Sequence, residues 1–192
     1  MNKNRLEAFS DGVLAIIITI MVLEFKVPDS VSYEAILPLL HKFLSYILSF
    51  IYVGIYWNNH HHMMHTVKRV NGKILWANLH LLFWLSLIPF ATAWIGEHHF
   101  ARYPMMFYGF ILFMNGFAYF LLQIQIIKMH GKDSLLSKAI GYGIKEKASV
   151  LLYLVAIIFA YFSTLISGII YIFVALMWMV PDKRIERIFN EE

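Results

Sequence analysis

One segment near the N-terminus constrains the fold of this chain more than any other feature. It runs from Arg5 to Leu23, reads RLEAFSDGVLAIIITIMVL, and is polar at its start and almost purely aliphatic afterwards. An α-helix of about 20 apolar residues is long enough to cross a bilayer. A charge carried into such a span is costly, so Asp11 is a candidate functional residue by default.

This first segment presents different faces when it is drawn as a helix. One stripe, with i, i+3, i+4 and i+7 spacing, consists of Gly12, Ile16, Thr19, Ile20 and Leu23. Asp11 lies about 140° around the helix from Ile16 and faces another way. We expect the stripe to face a water-filled axis and Asp11 to face a neighbouring helix. Periodicity alone does not separate such a stripe from one that faces lipid or a packed core.

The composition places the whole chain in a membrane. Hydrophobic residues make up 60% of it and charged residues only 15%, whereas soluble domains carry about 25% charged residues. The sequence contains no cysteine, which excludes disulfides and thiolate metal sites. The net charge of +4 comes from basic residues in short loops beside apolar segments, so it indicates membrane topology and argues against a nucleic-acid partner.

The apolar segments predict a single all-α domain over residues 1–192 with six transmembrane helices. Their approximate ranges are 4–25, 36–64, 74–95, 105–127, 148–163 and 167–180. The third helix contains Pro89, where we expect a kink. The apolar run from Ser149 to Val180 is longer than one span needs, and small or hydroxylated residues near its middle predict two short helices joined by a tight turn.

The distribution of basic residues supports six helices over five. With six spans, thirteen of the sixteen Lys and Arg residues fall on one side of the membrane, and only Lys26, Lys42 and Arg102 fall on the other. Because basic loops stay in the cytoplasm, this arrangement places both termini there. Five spans would put the basic C-terminal tail outside.

Three groups of residues match a known family. The first span holds Arg5, Phe9, Ser10, Asp11 and Gly12, followed by Ile16, Thr19, Leu23 and Glu24. The second ends in Tyr56-Trp57 and His60-His61, and the third holds Asn78, His80 and the run Leu87–Thr92. These motifs resemble the signature of the transmembrane protein 175 family, the lysosomal potassium channels and their bacterial relatives. The resemblance covers roughly the first half of the chain.

The resemblance implies an integral membrane protein of the bacterial type, a homotetramer in the plasma membrane whose first helices line a central pore for monovalent cations. It implies a hydrophobic gate at Ile16, Ile20 and Leu23 and an ion-selectivity position at Thr19. It also implies a polar network between helices, made by Arg5, Phe9, Ser10, Asp11, Asn78 and His80. The permeant ion would be K⁺, with no cofactor, and the surrounding partners would be membrane lipids.

Several polar residues leave alternatives open. Asp11 is either a structural carboxylate that accepts hydrogen bonds from His80, Asn78 or Arg5, or part of a proton relay. A second reading of the chain is therefore a proton- or metal-coupled transporter that uses Asp11, His80 and the cluster His60–His65. Within that cluster His61 and His65 have the i, i+4 spacing of metal ligands, but no acidic third ligand lies nearby in the sequence. Zinc bound there would inhibit rather than catalyse.

The sequence argues against two further kinds of site, a conventional potassium-channel selectivity filter and an enzyme active site. Gly141-Tyr142-Gly143 is similar to part of a potassium-channel selectivity filter, but it lies in a basic loop without a pore helix. The sequence has no HExxH motif and no nucleophile motif, so we do not expect an enzyme.

Overall fold

The computed structural model describes residues 3–28, 30–37, 39–131, 134–140 and 143–179, and within these ranges the chain is all-α. The helices are α1 (Lys3–Leu23), α2 (Leu39–His65), α3 (Gly72–Ser86), α4 (Ile88–Glu97), α5 (Arg102–His130), α6 (Leu135–Ile140), α7 (Ile144–Phe162) and α8 (Thr164–Met179). A short 3₁₀ helix, Tyr33–Ala35, precedes α2. The predicted fold class is confirmed at this level. The tail beyond Met179 and the pair Gly141-Tyr142 lie outside the described residues.

Four helical segments are long and apolar enough to cross a membrane: α1, α2, the combined segment Gly72–Glu97 and α5. The helix α8 is also apolar but has only 16 residues. The helix α7 begins with the charged run Lys145-Glu146-Lys147 before its apolar part. Length and hydropathy therefore give four candidate spans among the described residues, and α7 and α8 form a packed pair beside them.

The first helix packs against α2, α3 and α4 through one face. The buried positions of this face are Leu6, Ser10, Leu14, Ile17 and Met21. Their spacing of three or four residues is that of one helical stripe. The packed stripe lies on the other side of α1 from the aliphatic stripe, which fixes the rotation of α1 within the subunit.

The third apolar segment is interrupted at Leu87, two residues before Pro89, where the kink was expected. The helix α3 ends at Ser86, Leu87 connects, and Pro89 lies in the first turn of α4. A proline is tolerated there because the first backbone N–H groups of a helix have no intrahelical partner. At the start of α3, the Asn71 side chain caps the helix by accepting a hydrogen bond from the Ile74 N–H at 3.0 Å.

The long C-terminal apolar run divides near its middle, at Ser163, although the second helix begins at Thr164 rather than at residue 167. This residue is extended, with φ −151° and ψ 110°, and α8 begins at the next residue. The helices α7 and α8 then pack against each other, and α7 also packs along α5. The short helix α6 was not expected in the polar region between α5 and α7, where its Leu136 is buried.

Buried hydroxyl groups join the second half of the chain to α2. The Tyr52 hydroxyl donates to the Tyr171 carbonyl at 2.6 Å, and the Tyr171 hydroxyl donates to the Met105 carbonyl at 3.0 Å. These bonds connect α2, α8 and α5 in one series. Hydrogen bonds between helices satisfy polar groups that hydrocarbon cannot. The two halves of the subunit therefore share one interior.

Candidate conduction surface and polar network of the first helix

The aliphatic stripe of α1 lies on the surface of the folded chain. Ile16 is 57% exposed, Ile20 42% and Leu23 77%. Thr19 is also exposed, and its hydroxyl donates to the Ile16 carbonyl at 2.9 Å. Because these side chains are free of the subunit's own core, they are available to face lipid, water or a second copy of the chain.

The stripe borders an open groove of about 720 Å³ between α1 and α4. Ile16 and Ile20 form one wall, and Phe90 and Trp94 contribute to the other. Glu24 and Glu97 lie at the end where both helices finish. The groove thus combines apolar walls with carboxylates at one mouth.

A buried chain of hydrogen bonds attaches α1 to α3 and α2. The Asn78 amide donates to the Ser10 hydroxyl oxygen at 2.9 Å, and the Ser10 hydroxyl donates to the Leu6 carbonyl at 2.9 Å. The Asn78 carbonyl oxygen lies 2.8 Å from His60 Nε2. Ser10, Asn78 and His60 are almost completely buried. In low-dielectric surroundings each of these bonds is costly to leave unmade, so the network fixes the position of α1.

Asp11 has a partner that the sequence analysis did not assign. The Trp57 indole Nε1 donates to Asp11 Oδ1 at 3.0 Å. One turn away on both helices, His61 Nδ1 lies 3.3 Å from Glu7 Oε1. Glu7 and Asp11, which are spaced i, i+4 on α1, therefore contact residues with the same spacing on α2, namely His61 and Trp57. The complementary spacing was visible in the sequence, but nothing in the sequence showed that these two faces meet.

His80 does not take part in this arrangement. Its Nε2 accepts a hydrogen bond from Trp84 Nε1 at 2.9 Å, within the same helix. The expectation that Asp11 accepts from His80, Asn78 or Arg5 is therefore corrected, since the donor is Trp57. Among the described residues, the hydrogen-bond partner of Asp11 is thus on α2 and that of His80 is on its own helix.

Two other predicted network residues lie on the surface of the subunit. Arg5 is exposed, and Phe9 is 54% exposed. Phe9 lies seven residues before Ile16, so it continues the aliphatic stripe towards the N-terminus. From the predicted set, the structure thus joins Ser10 to Asn78, with His60 added to that network. Asp11 lies in a separate contact with Trp57.

The histidine cluster is divided between different environments. His60 is buried against Asn78, while the rings of His61 and His65 are 5.2 Å apart and close to perpendicular. Among the residues that the structure describes, no group of three or more His, Asp or Glu side chains has an arrangement that would hold a metal ion. Glu7 is the acidic neighbour of His61, and it comes from another helix.

Comparison with known proteins agrees with this architecture. A family model described as "Endosomal/lysosomal potassium channel TMEM175" matches residues 5–89. A protein of Chryseobacterium sp. (strain P1-3), named as a potassium channel, is 57% identical over 191 residues, which is 100% of both chains. A Streptomyces collinus protein, also named as a potassium channel, is 37% identical over 103 residues, covering 51% of this chain and 50% of its own length.

The fold has a counterpart among solved structures. The crystal structure of a lysosomal potassium-selective channel TMEM175 homolog from Chamaesiphon minutus matches with a TM-score of 0.77 and 28% identity. The match covers 92% of this chain and 96% of that one. The region matched by the family model contains α1 with its stripe, the buried network and the Trp57–Asp11 contact. This chain is an integral membrane protein and belongs to the TMEM175 family.

Proposed function

We propose that this protein is a potassium-permeable cation channel, a homotetramer in which four copies of α1 surround a central axis. The observation that carries the proposal is the division of α1 into two faces. One face is locked into the subunit by Ser10 and Asp11. The other face exposes Ile16, Ile20 and Leu23. Relatives that are 57% and 37% identical to this chain are named as potassium channels.

The gate in this proposal is a dry constriction. Ile16 and Leu23 are seven residues apart, so three aliphatic layers extend over about 10 Å of the axis. Four copies of each side chain around a narrow axis repel water, and an ion does not cross an unhydrated apolar segment of that length. Opening then requires the four helices to separate or rotate.

Thr19 lies between the gate residues and supplies the only hydroxyl on the stripe. The Thr19 hydroxyl donates its hydrogen bond to the Ile16 carbonyl. The hydroxyl oxygen therefore keeps its lone pairs for a cation on the axis. A ring of four such oxygens replaces part of the hydration shell of K⁺ without a fixed charge that would trap the ion.

The remaining topology is part of the same proposal. The helices α7 and α8 complete six spans, both termini are cytoplasmic, and the protein resides in the bacterial plasma membrane. The support for this arrangement is the asymmetry of the basic residues and the packing of the α7–α8 pair against α5 and α2.

The test is cation flux in proteoliposomes that contain the purified protein. Ile16→Asn should raise K⁺ flux driven by a salt gradient, because four amides wet the constriction. Val22→Asn is the matched control, since Val22 is 48% exposed but lies about 120° around the helix from Ile16. If Ile16→Asn leaves the K⁺ flux unchanged, or if Val22→Asn raises it equally, the aliphatic stripe of α1 is not the gate. Flux that requires a proton gradient would favour a coupled transporter instead.

A further inference from the structure

A second cavity lies inside the helix bundle, away from the exposed face of α1. It is enclosed by residues of α2, α5, α7 and α8 and has about 40 Å³ of space open to water-sized groups. One water molecule needs about 10–15 Å³ on this measure, so the cavity admits a group of about three non-hydrogen atoms. No residue of α1 lines it.

Aromatic rings form most of its walls. The rings of Tyr56 and Tyr119 are 6.1 Å apart and inclined at 67°. Those of Tyr119 and Trp178 are 6.5 Å apart and inclined at 77°. Tyr153 closes another side. The cavity is thus bordered by aromatic side chains from four helices, and aromatic cages of this kind bind organic cations.

The space exists because α5 presents a glycine to it. A Cβ added to Gly116 would lie 3.8 Å from Tyr153 Cε2 and 3.9 Å from the Tyr56 hydroxyl. Both distances are ordinary van der Waals contacts, so alanine fits here without strain. A methyl group at this position would occupy part of the cavity and leave the surrounding helices in place.

One carboxylate joins the aromatic walls. Glu146, in the first turn of α7, lines the cavity and is partly exposed, as are Asn59 and Trp178. The tyrosines behind them are buried. Glu146 also lies where a negative charge favours a helix N-terminus. The interaction of Glu146 with the helix N-terminus does not by itself require aromatic neighbours. The side chains of Lys145 and Lys147 project from α7 about 100° to either side of Glu146.

We propose that this cavity binds a small primary ammonium group. The aromatic faces attract the cation through their quadrupoles, and Glu146 supplies the opposite charge. The volume suits methylammonium and is too small for tetramethylammonium. The walls are mainly carbon rather than a ring of oxygens, which disfavours dehydrated K⁺. The ammonium group belongs either to a soluble amine or to the headgroup of phosphatidylethanolamine.

The experiment is calorimetric titration of the full chain in nanodiscs of phosphatidylglycerol with methylammonium chloride at constant ionic strength. We expect saturable binding of one methylammonium per subunit, without competition from KCl or tetramethylammonium chloride. Glu146→Gln should weaken binding about tenfold, the loss of one favourable charge interaction. Gly116→Ala should weaken it by a similar factor. Gly54→Ala, a helical glycine with open space around its Cβ, is the control and should bind normally.

Nanodiscs with added phosphatidylethanolamine distinguish the two sources. Weaker apparent methylammonium affinity there identifies the lipid headgroup, and unchanged affinity identifies a soluble amine. The proposal is overturned if no saturable binding occurs, if K⁺ competes equally, or if Glu146→Gln and Gly116→Ala both bind like the parent chain. Neither variant touches α1, so K⁺ flux through them should persist, and failure of this site is distinguishable from failure of the conduction pathway.

Discussion

Trp57 donates its indole proton to Asp11 across the interface between α1 and α2, with 3.0 Å between Nε1 and Oδ1. The Trp57 ring also stacks on His61, with centroids 6.2 Å apart and planes inclined at 23°. His61 in turn faces Glu7 of α1. Two acidic residues of the first helix are thus covered by one aromatic and one titratable side chain of the second. This contact holds the polar end of α1 while its aliphatic stripe stays exposed.

We expect Trp57→Phe to destabilise the subunit by about 1 kcal/mol, because a partly exposed Asp11 carboxylate loses one hydrogen bond while the aromatic packing is retained. Thermal unfolding in detergent measures the change. Trp76→Phe is the control, since Trp76 is 75% exposed. A double-mutant cycle with Asp11→Ala should give a favourable coupling energy. Additive effects would show that the 3.0 Å contact contributes no stability.

Substitutions in the buried Ser10–Asn78–His60 network should destabilise the protein more than loss of the Trp57–Asp11 hydrogen bond. Asn78→Ala removes the donor to Ser10 and the partner of His60 together. Each orphaned buried group costs about 1–3 kcal/mol, so we expect a large fall in melting temperature. Ser10→Ala combined with Asn78→Ala should cost less than the sum of the two single changes. Asn58→Ala, at a partly exposed position on α2, provides the comparison, and an equal loss there would argue against a specific network.

The sequence was sufficient to predict the all-helical class, an interruption near Pro89 and a break near the middle of the C-terminal apolar run, because these follow from hydropathy, proline geometry and a local change of composition. The exact position of that break, at Ser163, was not predicted. It also placed Ser10 and Asn78 in one network through the family resemblance. It could not identify Trp57 as the donor to Asp11, since the rotation of α2 about its axis depends on tertiary packing. His60 and His61 are adjacent and chemically identical, yet one is buried and the other paired at the surface, which no single-sequence pattern distinguishes.

Substitution by alanine should have opposite effects on stability at two glycines, Gly109 and Gly54. A Cβ at Gly109 would collide with the Tyr171 hydroxyl and approach Ile157 Cγ1 at 2.8 Å. The Tyr171 hydroxyl is committed to the Met105 carbonyl, so overpacking should cost about 1–3 kcal/mol. Gly54 has nothing within 4 Å of its Cβ, and Gly54→Ala should stabilise α2 by up to about 1 kcal/mol. Melting curves of the two variants test this, and a more stable Gly109→Ala would contradict the packing described.

The hydroxyl of Thr19 should control discrimination between K⁺ and Na⁺. Thr19→Val keeps the shape of the side chain and removes the oxygen, so the K⁺/Na⁺ permeability ratio should fall towards one. Thr19→Ser retains the oxygen and should preserve most of the ratio. Reversal potentials in planar bilayers under bi-ionic conditions measure both. If Thr19→Val keeps the parental ratio, selectivity resides elsewhere in the conduction pathway.

The position of α1 in the assembly can be tested through cysteine, because the chain contains none. Leu23→Cys places one thiol per chain at the most exposed of the three proposed gate positions. If four copies of Leu23 surround the axis, a short thiol-to-thiol cross-linker should join adjacent subunits efficiently. Val22→Cys, exposed but directed about 100° away, should cross-link poorly.

Each thiol reacts once, so the covalent product on a denaturing gel is a dimer. Native mass spectrometry of the same sample measures the total subunit number, which we expect to be four. If Val22→Cys gives cross-linked dimers and Leu23→Cys gives none, the interface between copies of α1 does not lie on the aliphatic stripe. That result would place Ile16, Ile20 and Leu23 against lipid, because an exposed apolar face that meets no other subunit must meet hydrocarbon.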